Sequence, residues 1–462
     1  YKYTTPEGRE VYDKYGIEIR GGVEHEDIYA DFIGVATGVY NYVSEDYAYN
    51  ISGNFINNGY DYYSRGAIYN DYHGMVIQNI DGNFVGNKTA ITNEAEAYYG
   101  VTYPDYYTGI SSIDSIEGIF IGNETAIYNK GNSSIGSISA EFISNSVTSS
   151  SNQAQGGAIF NDWNGSIGNI GSSQDYSVFT ANSAVSNGGI ANGGAINNGW
   201  GANVGTIYAD FSSNYASATS TAFGGAISNY AGRNNVNTPS TIAGVNGDFS
   251  SNYAISSGAN AIGGAIYNGF NPATNQYPST ITNGITGDFT GNYAKATSGT
   301  AKGGAIANVG SGSKLNKVTG NYTGNYAQGS SEAYGGAIYN DSGSIENGIS
   351  GNFTDNYAKG NGTTQGGAIF NSSGSIGAIE GIFDGNYAEG SGWVEGGAIW
   401  NRYGSIASIT GDFIENKVTA SSGTVQGGAI YNNAATVGAV NGNFIENIAS
   451  SSNGSSKLSA PC

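Results

Sequence analysis

Residues 349–369 read ISGNFTDNYAKGNGTTQGGAI and contain both motifs that decide the fold. An apolar residue, a glycine and an aromatic residue alternate at Ile349, Gly351 and Phe353, and Gly-Gly-Ala-Ile ends the stretch. Residues two apart on a strand share a face, so Ile349 and Phe353 are predicted to point into one interior, with the glycine making room beside the ring. The stretch therefore predicts short strands joined by turns.

Both motifs recur along most of the chain. Gly-Gly-Ala-Ile occurs nine times, and an aromatic residue followed three positions later by Asn occurs thirteen times. The aromatic positions are Phe55, Phe84, Phe120, Phe142, Phe179, Phe211, Phe249, Phe289, Tyr322, Phe353, Phe383, Phe413 and Phe444. Thirteen units are too many for a propeller, and neither helical periodicity nor a six-residue period is present. The sequence predicts an all-β fold, a parallel β-helix (β-solenoid) of about 13 rungs with one rung per ~30-residue repeat.

The repeats divide the chain into three predicted segments. Residues 1–50 are rich in Tyr and acid and are expected to form an N-terminal cap or assembly segment, residues 51–449 the β-helix, and residues 450–462 a polar C-terminal tail. Asn side chains stacked at the turns can donate to and accept from the same group in the rungs above and below. Insertions fall between Gly-Gly and the next aromatic, so the long inserts at 230–240 and 269–279 are expected to lie side by side.

Composition narrows the classes of partner. The chain has 36 acidic and 16 basic residues, a net charge of −20, and Arg233 is the only basic residue between Lys130 and Lys295. Nucleic acid is therefore not expected as a partner, because phosphate neutralisation needs clustered Lys and Arg. The single cysteine, Cys462, excludes a disulfide within the chain. No apolar run approaches the roughly 18 residues that a membrane span requires.

A column of carboxylates precedes the ring motif. Asp210, Asp248 and Asp288 occupy this position in three consecutive rungs and are expected to face outward. Stacked carboxylates on a β-helix surface are how pectin-degrading β-helix enzymes bind Ca²⁺ or perform acid/base hydrolysis. The alternative is a solvated acidic surface, since neighbouring rungs carry Asn instead. We expect no cofactor, with Ca²⁺ as the one candidate ligand, and no enzymatic activity.

A second column follows the turn Asn in six successive rungs. It consists of Tyr215, Tyr253, Tyr293, Tyr326, Tyr357 and Tyr387, each followed by Ala. If Ala points inward, the tyrosines form an outward ladder suited to sugar rings or to a neighbouring rod. The alternative is packing between rungs that only stiffens the solenoid. The insert residues Arg233, Phe270 and Tyr277 are the other predicted contact residues.

The alternation of Gly-Gly-Ala-Ile with Phe-x-x-Asn over residues 51–449 resembles the passenger domains of chlamydial polymorphic membrane proteins and related autotransporter-like surface proteins. The resemblance implies a right-handed β-helix displayed outside the cell, with roles in adhesion and self-association. We therefore expect a structural protein or adhesin of the cell surface or extracellular space, with other copies of itself, a host-surface protein or a glycan as partners. A polysaccharide-binding module, lyase or hydrolase is the competing class.

No amphipathic capping segment follows the last repeat, which ends at Asn447. Unpaired strand edges of a final rung invite another chain, and head-to-tail contact through such an edge generates filaments. The sequence therefore predicts a self-associating rod. The alternative is that a longer precursor supplies the cap.

Overall fold

This computed structural model describes residues 2–4, 10–12, 15–20, 27–42, 48–59, 66–71, 76–95, 111–231, 238–270, 278–454 and 456–457. These residues contain no helix, and their strands stack in parallel, rung on rung, as a β-helix. The predicted fold class is confirmed. Lys2–Thr4 and Glu10–Tyr12 form a separate antiparallel pair.

Successive rungs pass through the sheets in the same order, with two sheets in the early rungs and four in the later ones. Sheet I begins after the Gly-Gly corner and has fourteen strands among the described residues. Its strands are Tyr15–Arg20, Thr37–Tyr42, Ile68–Asn70, Thr89–Ala95, Thr125–Gly131, Ile159–Asp162, Ile196–Gly199, Ile227–Ala231, Ile266–Phe270, Ile306–Val309, Ile338–Asp341, Ile369–Ser372, Ile399–Arg402 and Ile430–Asn433.

Sheet II follows and carries the aromatic motif on its inner face. Its strands are Ile28–Tyr29, Phe32–Ile33, Tyr49–Ile56, Val76–Val85, Ser112–Ile121, Ser134–Ile143, Ser166–Ile170, Ser177–Thr180, Asn203–Ser212, Thr241–Asn246, Phe249–Ser250, Thr280–Ile281, Ile285–Thr286, Phe289–Thr290, Lys314–Leu315, Val318–Thr319, Tyr322–Thr323, Ser344–Ile345, Ile349–Ser350, Phe353–Thr354, Ser375–Glu380, Phe383–Asp384, Ser405–Thr410, Phe413–Ile414, Thr436–Asn441 and Phe444–Ile445.

Two further sheets complete the later rungs. Sheet III comprises Ser146–Ser149, Ser183–Ser186, Tyr215–Ala218, Tyr253–Ser256, Tyr293–Ala296, Tyr326–Gly329, Tyr357–Gly360, Tyr387–Gly390, Lys417–Ala420 and Ile448–Ser451. Sheet IV comprises Ala154–Gln155, Ala191–Asn192, Ala222–Phe223, Ala261–Ile262, Ala301–Lys302, Ala333–Tyr334, Thr364–Gln365, Val394–Glu395, Val425–Gln426 and Ser456–Lys457.

The core is a stack of identical columns. The rings of Phe383 and Phe413 lie 4.8 Å apart and 3° from parallel, a geometry repeated along the inner face of sheet II. Except in the last described rung, these rings and the isoleucines at the start of the sheet I strands are almost fully removed from water. Burying one such ring or isoleucine contributes about 1.5–3 kcal/mol, so the columns together stabilise the fold.

Both Asn columns form the ladders that the sequence predicts. In the turn after sheet II, Asn356 Nδ2 donates to Asn386 Oδ1 at 3.0 Å and to the Tyr322 carbonyl at 2.8 Å. In sheet I, Asn340 Nδ2 donates to Asn371 Oδ1 at 2.7 Å. The ladders satisfy amides that are completely buried.

The stack extends into the segment for which the sequence predicted a cap. Tyr15–Arg20 pairs in parallel with Thr37–Tyr42, which pairs with Ile68–Asn70. Phe32 stacks on Phe55 at 5.2 Å and adds a fourteenth ring to the thirteen of the motif. The motif search misses Phe32 because Val35, which has no side-chain amide, stands where the other turns have Asn; its backbone N–H donates to Asn58 Oδ1 at 3.0 Å.

Candidate contact surfaces

The six tyrosines that follow the turn Asn form one continuous ladder on the outer face of sheet III. Adjacent strands pair in register, Tyr253 with Tyr293 and Ala254 with Ala294, so that alanines point inward and tyrosines outward. The six alanines are fully buried, five of them in one core cluster and Ala388 in a second, whereas the tyrosines are half-buried. Small inward residues thus bring sheet III close to the core while the rings remain on the surface.

The ladder presents ring edges and hydroxyls to solvent. Neighbouring rings, such as Tyr293 and Tyr326, lie 4.8 Å apart and 2° from parallel, and the other pairs from Tyr215 to Tyr387 have the same geometry. Each ring face within the ladder is therefore covered by the next ring. A sugar that stacks on an aromatic face would find no free face inside the ladder, so packing between rungs accounts for its geometry.

Crowding changes the acidity of these phenols. Partial burial, followed by repulsion from Tyr293 and Tyr215, raises the pKa of Tyr253 to about 12. Burial, followed by Tyr357, Glu389 and Asp355, raises the pKa of Tyr387 to about 12. A phenolate would lose solvation and repel its neighbours, so the hydroxyls of Tyr253 and Tyr387 stay neutral well above physiological pH.

The carboxylate column has a structural role that the sequence did not reveal. Asp210 Oδ1 accepts the backbone N–H of Asp248 at 2.9 Å, and Asp248 Oδ1 accepts that of Asp288 at 2.9 Å. Asp288 Oδ1 in turn accepts the backbone N–H of Asn321 at 2.8 Å. Each carboxylate therefore ties its rung to the next, and the Asn residues that replace Asp in other rungs provide the same acceptor.

Such a column fits hydrogen bonding better than metal chelation. Among the residues that the structure describes, no group of three or more His, Cys, Asp or Glu could hold a metal ion. The exposed carboxylates of Asp210, Asp248 and Asp288 follow one another along the rod, one in each rung, instead of converging on a centre. The column is thus an exposed acidic stripe on the side of the rod.

The insert residues are only partly described. Tyr230 pairs with Gly269 and Ala231 with Phe270, so the two long inserts leave sheet I side by side. Arg233 and Tyr277 lie outside the described residues. Phe270 is half-buried, and a Cβ added at Gly310 would overlap its ring. Part of that ring is therefore covered by the following rung.

The last described rung exposes side chains of the core columns. Phe444 stacks on Phe413 at 4.8 Å but is 36% exposed, whereas Phe413 is 0% exposed. Ile430, Val437 and Val440, which continue inner columns, are likewise only partly buried. One face of the ring stack is thus accessible at this end of the described rod.

The sequence interpretation missed a second aromatic cluster, outside the main core. It fills the concave corner made by the Gly-Gly turn, between the outer faces of sheets I and IV. Its buried members are Phe223, Tyr230, Ile262, Tyr267, Ala307, Tyr339, Phe370 and Trp400. Trp400 Nε1 donates to Glu395 Oε2 at 2.8 Å across this corner. The signal was available, because the residue after Gly-Gly-Ala-Ile is often aromatic.

Comparison with protein-family models, with curated proteins and with solved structures gives no match for this chain. The resemblance of its repeats to chlamydial and autotransporter-like passengers therefore stays a prediction. No helix long and apolar enough to span a membrane occurs in the described part of the chain.

Proposed function

We propose that this chain is a non-enzymatic structural or adhesive rod of the cell surface or extracellular space, extended by head-to-tail contact between copies. The observation that carries the proposal is the repetition of the core columns, in which each ring stacks on the ring of the preceding rung, as Phe413 does on Phe383 at 4.8 Å. Placement outside the cell rests on the resemblance of the repeats alone.

The exposed face of the rung that contains Phe444 is best matched by a rung of another copy. The columns of rings and isoleucines repeat from rung to rung, so a rung of another copy would present matching columns to the open face of Phe444. Main-chain groups of the last strands would gain partners at the same time, as in strand addition to a sheet edge. Covering the exposed part of Phe444 and of its apolar neighbours favours association by the hydrophobic effect.

A polysaccharide-degrading enzyme is less well supported. The stripe of Asp210, Asp248 and Asp288 is bonded to backbone amides, and the faces of the tyrosine ladder are covered. Neither arrangement offers the convergent carboxylates or the free ring faces that sugar chemistry and sugar stacking use.

Electron microscopy and sedimentation test the proposal on the full chain. Phe444→Asp should shorten filaments to single rods at concentrations where the unmodified chain assembles, because a carboxylate would face the joining rung. Ile382→Asp is the matched control, since Ile382 is 44% exposed on the side of the rod, in the column where other rungs carry Asp. The proposal fails if the unmodified chain remains a single rod at every concentration, or if Ile382→Asp abolishes assembly as completely as Phe444→Asp.

A further inference from the structure

The outer face of sheet III differs in charge from the rest of the molecule. Its outward side chains include Lys295, Lys359 and Lys417 and a single acid, Glu389, a net charge of +2 on a chain of net charge −20. Lys359 and Glu389 form an ion pair at 2.9 Å and are both about half exposed. We call this surface, with its tyrosine ladder, the lysine–tyrosine face.

The outer face of sheet II carries the opposite charge. In the seven consecutive rungs from Val76–Val85 to Phe289–Thr290, every rung has at least one exposed acid and the strands contain no Lys or Arg. These acids are Asp81, Asp114, Glu117, Glu141, Asp175, Asp210, Asp248 and Asp288. We call this surface the acidic face.

The spacings of the two faces match. Acids recur in every rung, whereas the three lysines recur in every second rung, at the rungs of Tyr293, Tyr357 and Lys417. Both faces share the β-strand spacing, which the tyrosine rings show as 4.8–4.9 Å. Lysines roughly 10 Å apart can therefore each meet a carboxylate of a second rod without distortion of either solenoid.

We propose that rods associate side by side, with the lysine–tyrosine face of one copy on the acidic face of another. This contact is separate from the head-to-tail contact and does not depend on it. The lysines follow the acidic rungs along the chain, so the C-terminal half of one copy lies beside the N-terminal half of its neighbour. The tyrosine ladder provides a flat, uncharged platform whose hydroxyls can donate to carboxylates.

The size of the face makes the contact weak. Ten strands of four residues cover roughly 40 by 13 Å, so at most about 520 Å² per partner would be buried. Interfaces of that size are at the low end of specific ones and are transient. Exposed ion pairs are screened at a Debye length of about 10 Å in 0.1 M salt, so side-by-side association is expected mainly at low ionic strength.

The contact acts between two different faces, so one copy leaves a free acidic face and its neighbour a free lysine–tyrosine face. Heterologous contacts of this kind are open-ended and produce sheets or bundles. Lateral growth of this kind would convert single rods into a layer.

Charge reversal in the full-length Phe444→Asp background, where head-to-tail contact is blocked, tests this proposal. Lys295→Glu with Lys359→Glu and Lys417→Glu should weaken association at 20 mM salt about tenfold by sedimentation, since up to three favourable pairs become repulsive. Lys88→Glu with Lys314→Glu and Lys317→Glu makes the same change in net charge at exposed lysines elsewhere and should not weaken it as much.

A second variant, with lysines in place of three acids of the acidic face, provides the decisive test of the proposed contact. The variant Asp81→Lys with Glu117→Lys and Glu141→Lys should not associate with itself in the same way, yet it should associate with the lysine-reversed variant when the two are mixed. The proposal is overturned if mixing restores nothing, or if the control variant loses association equally. It is also overturned if the background chain stays monomeric at low salt and its lysine–tyrosine face binds an acidic polysaccharide, polygalacturonate being the probe, instead of a second copy.

Discussion

At the scale of single residues, glycine and asparagine hold the rungs together for different reasons. Gly351 has a φ of 146°, and a Cβ there would overlap the Gly320 carbonyl oxygen of the preceding rung. The sequence predicted this glycine as space for the ring, but the constraint is the approach of one backbone to another. Asn325 is required for its amide, which bridges rungs above and below.

Removal of one amide from the ladder should be costly. Asn325→Ala leaves Asn292 N and Nδ2 without their acceptor at 3.0 Å and the Phe289 carbonyl without its donor at 2.8 Å. We expect a loss of about 2–4 kcal/mol in the free energy of unfolding, because these groups stay buried. Asn321→Ala, at an exposed position four residues earlier, should cost under about 1 kcal/mol. Urea unfolding of both variants measures the two losses in the free energy of unfolding. Equal losses would contradict a buried ladder.

At the scale of the elements, the tyrosine ladder should be visible in an alkaline titration. Burial raises the folded pKa of Tyr253 and Tyr387 to about 12, above the value of about 10 in an unfolded chain. The unfolded state therefore releases these protons first, so their stabilising contribution is complete below pH 10 and is lost as the pH rises toward 12. Tyrosinate absorbance should show a late step near pH 12 that shrinks in the double variant Tyr253→Phe with Tyr387→Phe. A single step near pH 10 would contradict the crowded ladder.

The elements also show why sequence reasoning succeeded in one place and failed in another. Phe353, Asn356 and Tyr357 were placed correctly because strand alternation and a fixed turn dictate inward and outward positions. The bond from the backbone of Asp248 to the carboxylate of Asp210 could not be predicted, because it depends on how closely successive rungs approach. The corner that holds Trp400 depends on the bend between sheets I and IV, which cannot be predicted from the length of the sequence repeat.

At the scale of the whole molecule, stability is a sum over neighbouring rungs, and the last described rung has fewer contacts. An interior ring such as Phe383 lies between Phe353 and Phe413, each at 4.8 Å, whereas Phe444 is stacked on Phe413 and is 36% exposed. Local opening should therefore begin at this end.

Hydrogen exchange followed by mass spectrometry should show faster amide exchange in the last described rung than in the interior, and a change in that difference on assembly. In dilute single rods, amides of Thr436–Asn441 and Phe444–Ile445 should exchange at least about tenfold faster than those of Ser375–Glu380, since opening the last rung breaks contacts on one side and opening an interior rung breaks contacts on both. At concentrations where rods join head to tail, the last rung should gain protection while Ser375–Glu380 stays unchanged, because the joined ends acquire new neighbours and the interior rungs do not. Phe444→Asp should abolish this gain and Ile382→Asp should preserve it. Uniform protection along the rod, or equal gains in the interior, would contradict both the open end and the head-to-tail contact.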